Sequence, residues 1–268
     1  MTLRRSLVLF CALLIAQAST AATCDAEDFE LRVSGATQCL VMRRYGVAEP
    51  DVMVVWLHGD VSSGGPASYH FAIAERATQA LPTNRVLSVA LVRPGYEDGS
   101  GNASTVAFMQ SGRSDHYTRE NVFEVGAAIE RLRERYKPRI VIVVGHSGGA
   151  ATTAVLLGLK PALIDGAVLV ACPCDLVTWR NGRNGRKPWS RSENPVKWVD
   201  QVDPATRVIA LTGDKDDNTL AELARGYVKA LRVRKINAIF RSLPDESHNS
   251  AFRSPEVLNA VQELIAGK

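Results

Sequence analysis

One pentapeptide in this 268-residue chain has the residue types of a nucleophile site: Gly145-His146-Ser147-Gly148-Gly149. It follows the apolar run IVIVV and precedes the helix-like AATTAVLLGL. A serine on a sharp strand-to-helix turn presents its hydroxyl at the top of a sheet, and small residues two positions to either side let the backbone turn there. The helix that follows aims its N-terminal amides at the place where an oxyanion would develop. Serine attacks only when a base takes its proton, and the base needs a third group to orient it. For this turn the chain order is serine, acid, histidine. After Ser147 one histidine remains, His248, in the polar stretch Leu243-Pro244-Asp245-Glu246-Ser247-His248-Asn249. His58, His70, His116 and His146 precede the serine, and His146, inside the turn, is expected to pack there and not to act as the base. The acid belongs at the end of a strand between nucleophile and histidine. There Thr212-Gly213-Asp214-Lys215-Asp216-Asp217-Asn218 offers three carboxylates, and spacing alone leaves Asp214, Asp216 and Asp217 open.

Such residues need a scaffold that brings distant loops together. Six apolar runs, at residues 52–57 (VMVVWL), 86–92, 140–144, 167–170, 208–211 and 236–240, are separated by helical patterns. Runs that are apolar on both faces predict a mostly parallel sheet flanked by helices, an α/β fold. Thr118 is placed to cap a helix over 121–136, in which Val122, Val125, Ile129 and Leu132 recur at helical spacing and Pro138 stops the run. Residues 220–233 and 255–265 read as two more helices, and no internal repeat is visible.

The alternation breaks at about 175–204, a stretch with few apolar runs and three of the four tryptophans, Trp179, Trp189 and Trp198. It is too long for a simple connection and is expected to form a short cap over one end of the sheet. Its tryptophans could line a pocket, with Trp179 and Trp189 the candidates for substrate contact, or could hold the cap down. Arg180, Arg183, Arg186, Lys187 and Arg191 make its centre basic, either as a solvated loop or as a lip that attracts anions.

Composition narrows the class. With 46% hydrophobic and 22% charged residues, the chain has the balance of a globular protein with a sizeable core, and its 20 Gly and 12 Pro exclude collagenous and low-complexity types. The formal charge of +4 is too small to point to nucleic acid. Residues 1–22 have Arg4 and Arg5, an apolar stretch too short for a comfortable membrane span, and small residues near Ala21, the pattern of a cleaved secretory signal. Its removal would lower the formal charge to +2 and leave residues 23–268 as a single domain with no stable membrane anchor, periplasmic or secreted. Four cysteines would remain, an even number that favours disulfides in an exported chain. Cys24 and Cys39, fifteen positions apart, are expected to pair, whereas pairing of Cys172 with Cys174 is left open. No histidine stands at ligand spacing to either pair, so no metal site is expected.

From about residue 52 to the C-terminus the chain resembles the α/β-hydrolase superfamily. The resemblance rests on His58-Gly59, Arg93-Pro94-Gly95-Tyr96-Glu97-Asp98-Gly99-Ser100, Gly145-His146-Ser147-Gly148-Gly149, the Gly-x-x-Asp of Gly213 to Asp216, and His248. It implies an α/β-hydrolase fold and a triad of Ser147, Asp216 and His248, with Asp216 chosen as the acid three residues after the glycine. It also implies an oxyanion hole made of the backbone N–H groups of Asp60 and Gly148, each worth ~3 kcal/mol, with no metal or organic cofactor. Two positions depart from the family. Asp60 stands where many members have an apolar residue or glycine, and Gly148 where many have something larger. A carboxylate at 60 would repel an oxyanion if it pointed inward. The implied activity is that of an exported serine hydrolase of carboxylic esters, acting on a small ester or short peptide. Two other readings stay open: a peptidase or amidase, since Asp216-Asp217-Asn218 is similar to the acid loop of prolyl-oligopeptidase-like members, and a silent binding protein on the same scaffold. Oligomeric state is left open.

Overall fold

Strands form where the sequence offers uninterrupted apolar runs, and the loops that follow them carry the chemistry. The computed structural model describes residues 24–25, 27–62, 64–81, 85–106, 117–182, 187 and 189–267. The signal-like segment 1–22, His116, Arg183 and Arg186 lie outside these residues. In chain order the elements are β1 (Arg32–Ser34), β2 (Cys39–Gly46), β3 (Val52–Leu57), α1 (Phe71–Ala80), β4 (Val86–Leu91), α2 (Arg119–Tyr136), β5 (Ile140–His146), α3 (Gly148–Leu159), β6 (Gly166–Val170) and α4 (Leu176–Asn181). A 3-10 helix (Pro195–Gln201), β7 (Arg207–Gly213), α5 (Ala221–Val233), β8 (Asn237–Leu243), a 3-10 turn (Ala251–Arg253) and α6 (Pro255–Ala266) complete them.

The strands make one sheet in the order β1-β2-β4-β3-β5-β6-β7-β8. It is parallel from β4 to β8, with β1 and β2 added antiparallel at one edge. The six expected strands all lie in the parallel part, and each begins within one residue of its expected start. The two edge strands were not anticipated, because β2 is apolar only in its first half and then carries Arg43 and Arg44. Alternate residues of each inner strand enter different cores. Met53, Val55 and Leu57 pack with α2, α3 and α5, while Val52, Val54 and Trp56 pack with α1 and α6. Each buried aliphatic side chain of this kind contributes about 2 kcal/mol of transfer free energy.

Helix ends follow their local chemistry. Thr118 accepts a hydrogen bond from the Asn121 N–H at 3.3 Å, and Lys137 leaves α2 in the left-handed region just before Pro138. α1 has no side-chain cap, which is why its start was not legible. Among the described residues no helix is long and apolar enough to cross a membrane.

The expected cap region divides in two. Asp175 caps α4 by accepting from Val177 N and Thr178 N, and this half stays with the loops at the ends of the strands. The 3-10 helix sends Val199, and the residue after it Val202, into the same core as α3 and α5, with Trp198 packed against that core. This half belongs to the flanking helical layer.

Strand order reverses between β3 and β5, since the chain runs from β3 outward to β4 and later from β5 outward to β8. A crevice forms at the carboxyl ends of the strands at such a point, and the loops after β3 and β5 carry Asp60 and Ser147.

Both cysteine pairs are disulfides, Cys24–Cys39 and Cys172–Cys174. The first ties the N-terminal segment to the start of β2, beside the Glu27–Arg131 ion pair at 3.2 Å. Closing a loop of this length contributes ~3 kcal/mol by constraining the unfolded chain. The double substitution Cys24→Ser, Cys39→Ser is expected to lower unfolding free energy by about that amount in urea, and an unchanged midpoint would contradict it.

Candidate active site

The turn between β5 and α3 sets the site. Ser147 has φ 49° and ψ −114°, a conformation that costs a non-glycine residue on the order of 1–3 kcal/mol. It is held by a hydrogen bond from the Ser147 N–H to the Val170 carbonyl on β6 at 2.8 Å, and by the first turn of α3, where Ala151 N–H donates to Ser147 O at 3.0 Å. Space forces the small residues on either side. A Cβ at Gly145 would lie 2.4 Å from Gly149 O, and one at Gly149 would lie 2.4 Å from Leu57 O and 2.6 Å from His58 O.

The loop after β8 brings His248 to the nucleophile, with Nε2 3.0 Å from Ser147 Oγ. The loop after β7 brings Asp216 to the other ring nitrogen, with Oδ2 3.0 Å and Oδ1 3.2 Å from His248 Nδ1. Asp214 and Asp217 are exposed, whereas Asp216 is buried. Asp216 also accepts hydrogen bonds from Asn218 N at 2.9 Å and from Thr219 N and Oγ1, both at 2.8 Å. Burial by itself would raise its pKa, but the bond to His248, the charge there and the Thr219 donors outweigh it, and the net shift is downward. Thr219 was not anticipated. Its Oγ1 also lies 3.1 Å from His248 Nδ1.

Asp60, after β3, meets Gly148, the first residue of α3. Its carboxylate is not bare: Arg93 Nη2 donates at 2.8 Å, Tyr96 OH at 3.2 Å, and Tyr117 OH makes a further short bond. Arg93 is buried and also donates from Nη1 to His58 O at 3.0 Å. Burial opposes its charge, but Asp60 more than compensates and the pKa is raised. Burial, reinforced by the Asp60 charge, pushes the Tyr117 phenol well above its ordinary pKa, so it stays a donor. This cluster accounts for both departures from the family pattern. A Cβ at Gly148 would fall 2.4 Å from Asp60 Oδ1 and 2.6 Å from both Arg93 Nη1 and Tyr117 OH. The space after the nucleophile is filled from other loops. Arg93 and Tyr96 stand in the segment after the second apolar run that carries part of the family resemblance, but nothing in their spacing shows that they serve Asp60, and Tyr117 carried no signal.

Trp179 and Trp189 sit beside this cluster. Their rings are 5.6 Å apart, Trp189 lies 5.6 Å from Tyr117, and Trp179 Nε1 donates to Asn218 O of the acid loop at 2.8 Å. Trp198 is elsewhere, with Nε1 donating to Glu193 and Arg119 stacked on its ring. Of the basic residues described there, Arg180 lies over the Trp189 ring and Arg191 reaches toward Glu120.

Residues 54–200, more than half of the chain, match the alpha/beta hydrolase family. The chain belongs to that family. None of the curated proteins compared with it matches. Several solved structures share its fold at low identity. The Pyrococcus furiosus esterase Pf2001 has a TM-score of 0.65 at 14% identity, over 88% of this chain and 91% of that one. Est1E from Butyrivibrio proteoclasticus, solved with ferulic acid bound, has 0.65 at 12%, over 88% and 99%. An acylaminoacyl peptidase in complex with Z-Gly-Gly-Phe-chloromethyl ketone has 0.63 at 12%, over 88% of this alpha/beta hydrolase and 40% of the peptidase.

Two expectations follow from the site. Gly148→Ala forces Asp60, Arg93 or Tyr117 to move and is expected to cost about 1–3 kcal/mol of stability, read by chemical denaturation; a neutral result would contradict the crowding. The second concerns pH. Burial holds His70 to about 3 and, with the nearby His248, His146 to about 4, and burial beside Arg93 lowers His58 well below the ordinary value. In the unfolded chain these rings take up protons near pH 6.5. Between those limits the unfolded chain binds more protons, so stability falls as pH falls, by roughly 1 kcal/mol per histidine per pH unit. Urea midpoints are expected to drop steadily from pH 7 to pH 4.5, and a flat profile would show that these rings are charged in the fold.

Proposed function

We propose that this alpha/beta hydrolase is an exported serine hydrolase that cleaves carboxylic esters through an acyl-enzyme on Ser147. The observation that carries the proposal is the unbroken series Ser147 Oγ, His248 Nε2, His248 Nδ1, Asp216 Oδ2, with both contacts at 3.0 Å. Ser147 Oγ attacks the ester carbonyl while His248 Nε2 takes its proton. Asp216 holds the ring in the tautomer with hydrogen on Nδ1 and stabilises the cation that forms. The tetrahedral oxyanion is met by the backbone N–H groups of Gly148 and Asp60, worth ~3 kcal/mol each. The Asp60 carboxylate is compatible with this because Arg93 and two phenols already neutralise and bind it. His248 then returns its proton to the leaving alcohol, and water enters by the same route to release the acid.

Trp179 and Trp189 form the wall that contacts substrate, a small-molecule ester in this reading. Two disulfides and the signal-like residues 1–22 support export. A second reading, cleavage of short peptides or amides, is favoured by the acid loop Asp216-Asp217-Asn218 and by the likeness to an acylaminoacyl peptidase.

Purified protein is expected to turn over short-chain p-nitrophenyl esters and to be labelled by a fluorophosphonate probe. Ser147→Ala is expected to abolish labelling, and Ser147→Ala and Asp216→Asn to lower turnover by on the order of 10³-fold or more. Undiminished turnover in Ser147→Ala would rule the assignment out. Faster cleavage of aminoacyl-naphthylamides than of esters would favour the peptidase, and an inert, unlabelled wild type would favour a silent binding protein.

A further inference from the structure

His146, the residue before the nucleophile, is buried and its ring is not idle. Its Nε2 lies 3.0 Å from the backbone carbonyl of His248, and its Nδ1 lies 2.6 Å from Tyr69 OH. Tyr69 OH in turn accepts a short hydrogen bond from the Gly59 N–H. The carbonyl of His248 can only accept, so the hydrogen of the His146 ring is on Nε2. A neutral ring then has a lone pair on Nδ1, which accepts from the Tyr69 O–H, and the phenol oxygen is left to accept from Gly59. Each donor has one acceptor, and the direction of every bond is determined.

We propose that Tyr69 and His146 are positioning residues for the reaction: one directed chain of hydrogen bonds runs from Gly59 N–H through Tyr69 and His146 to the carbonyl of His248. It sets the loop that carries the base against the loop that carries the Asp60 oxyanion donor. The proposal rests on the serine-hydrolase reading of the site.

The chain works only while His146 is neutral. A second proton would occupy Nδ1 and leave the Tyr69 O–H without its acceptor. The titratable and charged groups that bear on the ring come from four loops: Tyr69 before α1, His248 after β8, Asp216 after β7, and His58 and Asp60 after β3. Phe252 stacks on the ring at 4.9 Å and 23°, and Tyr69 meets the same phenylalanine edge-on at 5.7 Å. Burial, with the nearby His248, lowers the His146 pKa to about 4, which keeps the ring neutral through the working range of a serine hydrolase. Neutrality matters a second time, because the His248 ring is only 5.2 Å away and must itself take a proton from Ser147. A charged neighbour at that distance would oppose the transfer.

The test combines kinetics of p-nitrophenyl acetate hydrolysis with the tautomer of His146. Tyr69→Phe removes one link and is expected to lower kcat by ~10-fold with KM changed less than about 2-fold, since misplaced groups cost rate more than binding. His146→Leu removes two links and is expected to cost ~100-fold. His146→Gln keeps an amide N–H for the His248 carbonyl and is expected to recover part of that loss. Tyr69→Phe and His146→Leu that turn over like wild type, or a Gln variant no better than Leu, would overturn the proposal. Where a variant fails to fold, wild-type protein labelled with ¹⁵N-histidine decides. The His146 signals are expected to report hydrogen on Nε2 and no titration from pH 5.5 to pH 8, and hydrogen on Nδ1 or titration in that range overturns the chain. Wild-type protein inert to both ester and fluorophosphonate would sink the hydrolase reading, whereas active wild type matched by Tyr69→Phe would sink the positioning role alone.

Discussion

The close approach of backbone to backbone beneath Ser147 is the constraint on which the molecule is arranged. A strained serine at the end of a strand persists only if its surroundings leave it no alternative, and here three strands and a helix do so. β6 accepts its N–H, α3 takes its carbonyl into the first helical turn, and Gly149 passes close to the carbonyls of Leu57, which ends β3, and of His58 after it. The loops that bear the functional groups start from these same strand ends. Leu57 leads within three residues to Asp60, and Gly213, at the end of β7, leads within three to Asp216. The strain at one residue is therefore carried by the parallel sheet, whose two faces are covered by separate apolar cores.

Two carboxylates, Asp216 buried and Asp60 partly exposed, flank Ser147, and their surroundings differ. Asp216 is saturated by an imidazole, a hydroxyl and two backbone amides. Its charge has a partner that can gain or lose a proton. Asp60 is bound by a guanidinium and two phenols, a permanent cation and hydroxyl donors, of which Tyr117 is held protonated by burial and the Asp60 charge. In the proposed reaction the first pair responds to chemistry at Ser147. The second is electrically closed, so under the proposed mechanism a negative side chain can stand next to the oxyanion without opposing it.

The parallel strands, the strand-to-helix turn, and Ser147 and His248 were legible in the sequence because each depends on local pattern and chain order. Apolar runs mark strands buried on both faces, and glycine spacing marks a turn that side chains would block. Choosing Asp216 over Asp214 and Asp217 needed family resemblance, since three carboxylates in one loop look alike until burial distinguishes them. The edge hairpin was missed because Arg43 and Arg44 break the apolar alternation of β2. The partners of Asp60 were missed for a different reason. Arg93, Tyr96 and Tyr117 are 33 to 57 residues away in the chain, and no periodicity encodes a contact between loops. Trp198 shows the converse limit, because composition grouped it with Trp179 and Trp189 while packing sends it to another layer.

The filling of the space beside Gly148 bears on how this chain can exchange parts with its relatives. The volume that a larger residue would occupy after the nucleophile is supplied by Asp60, Arg93 and Tyr117, from three separate segments. Those segments and the start of α3 form one module, although the chain never runs through it continuously. A chimera that imports the loop after β3 alone, with the apolar residue or glycine common in the family, would leave the Arg93 guanidinium buried without its counter-charge, a fault worth about 3–5 kcal/mol. Importing a larger residue at 148 alone would collide with a carboxylate that has nowhere to go. The unit of transplantation is all four positions together.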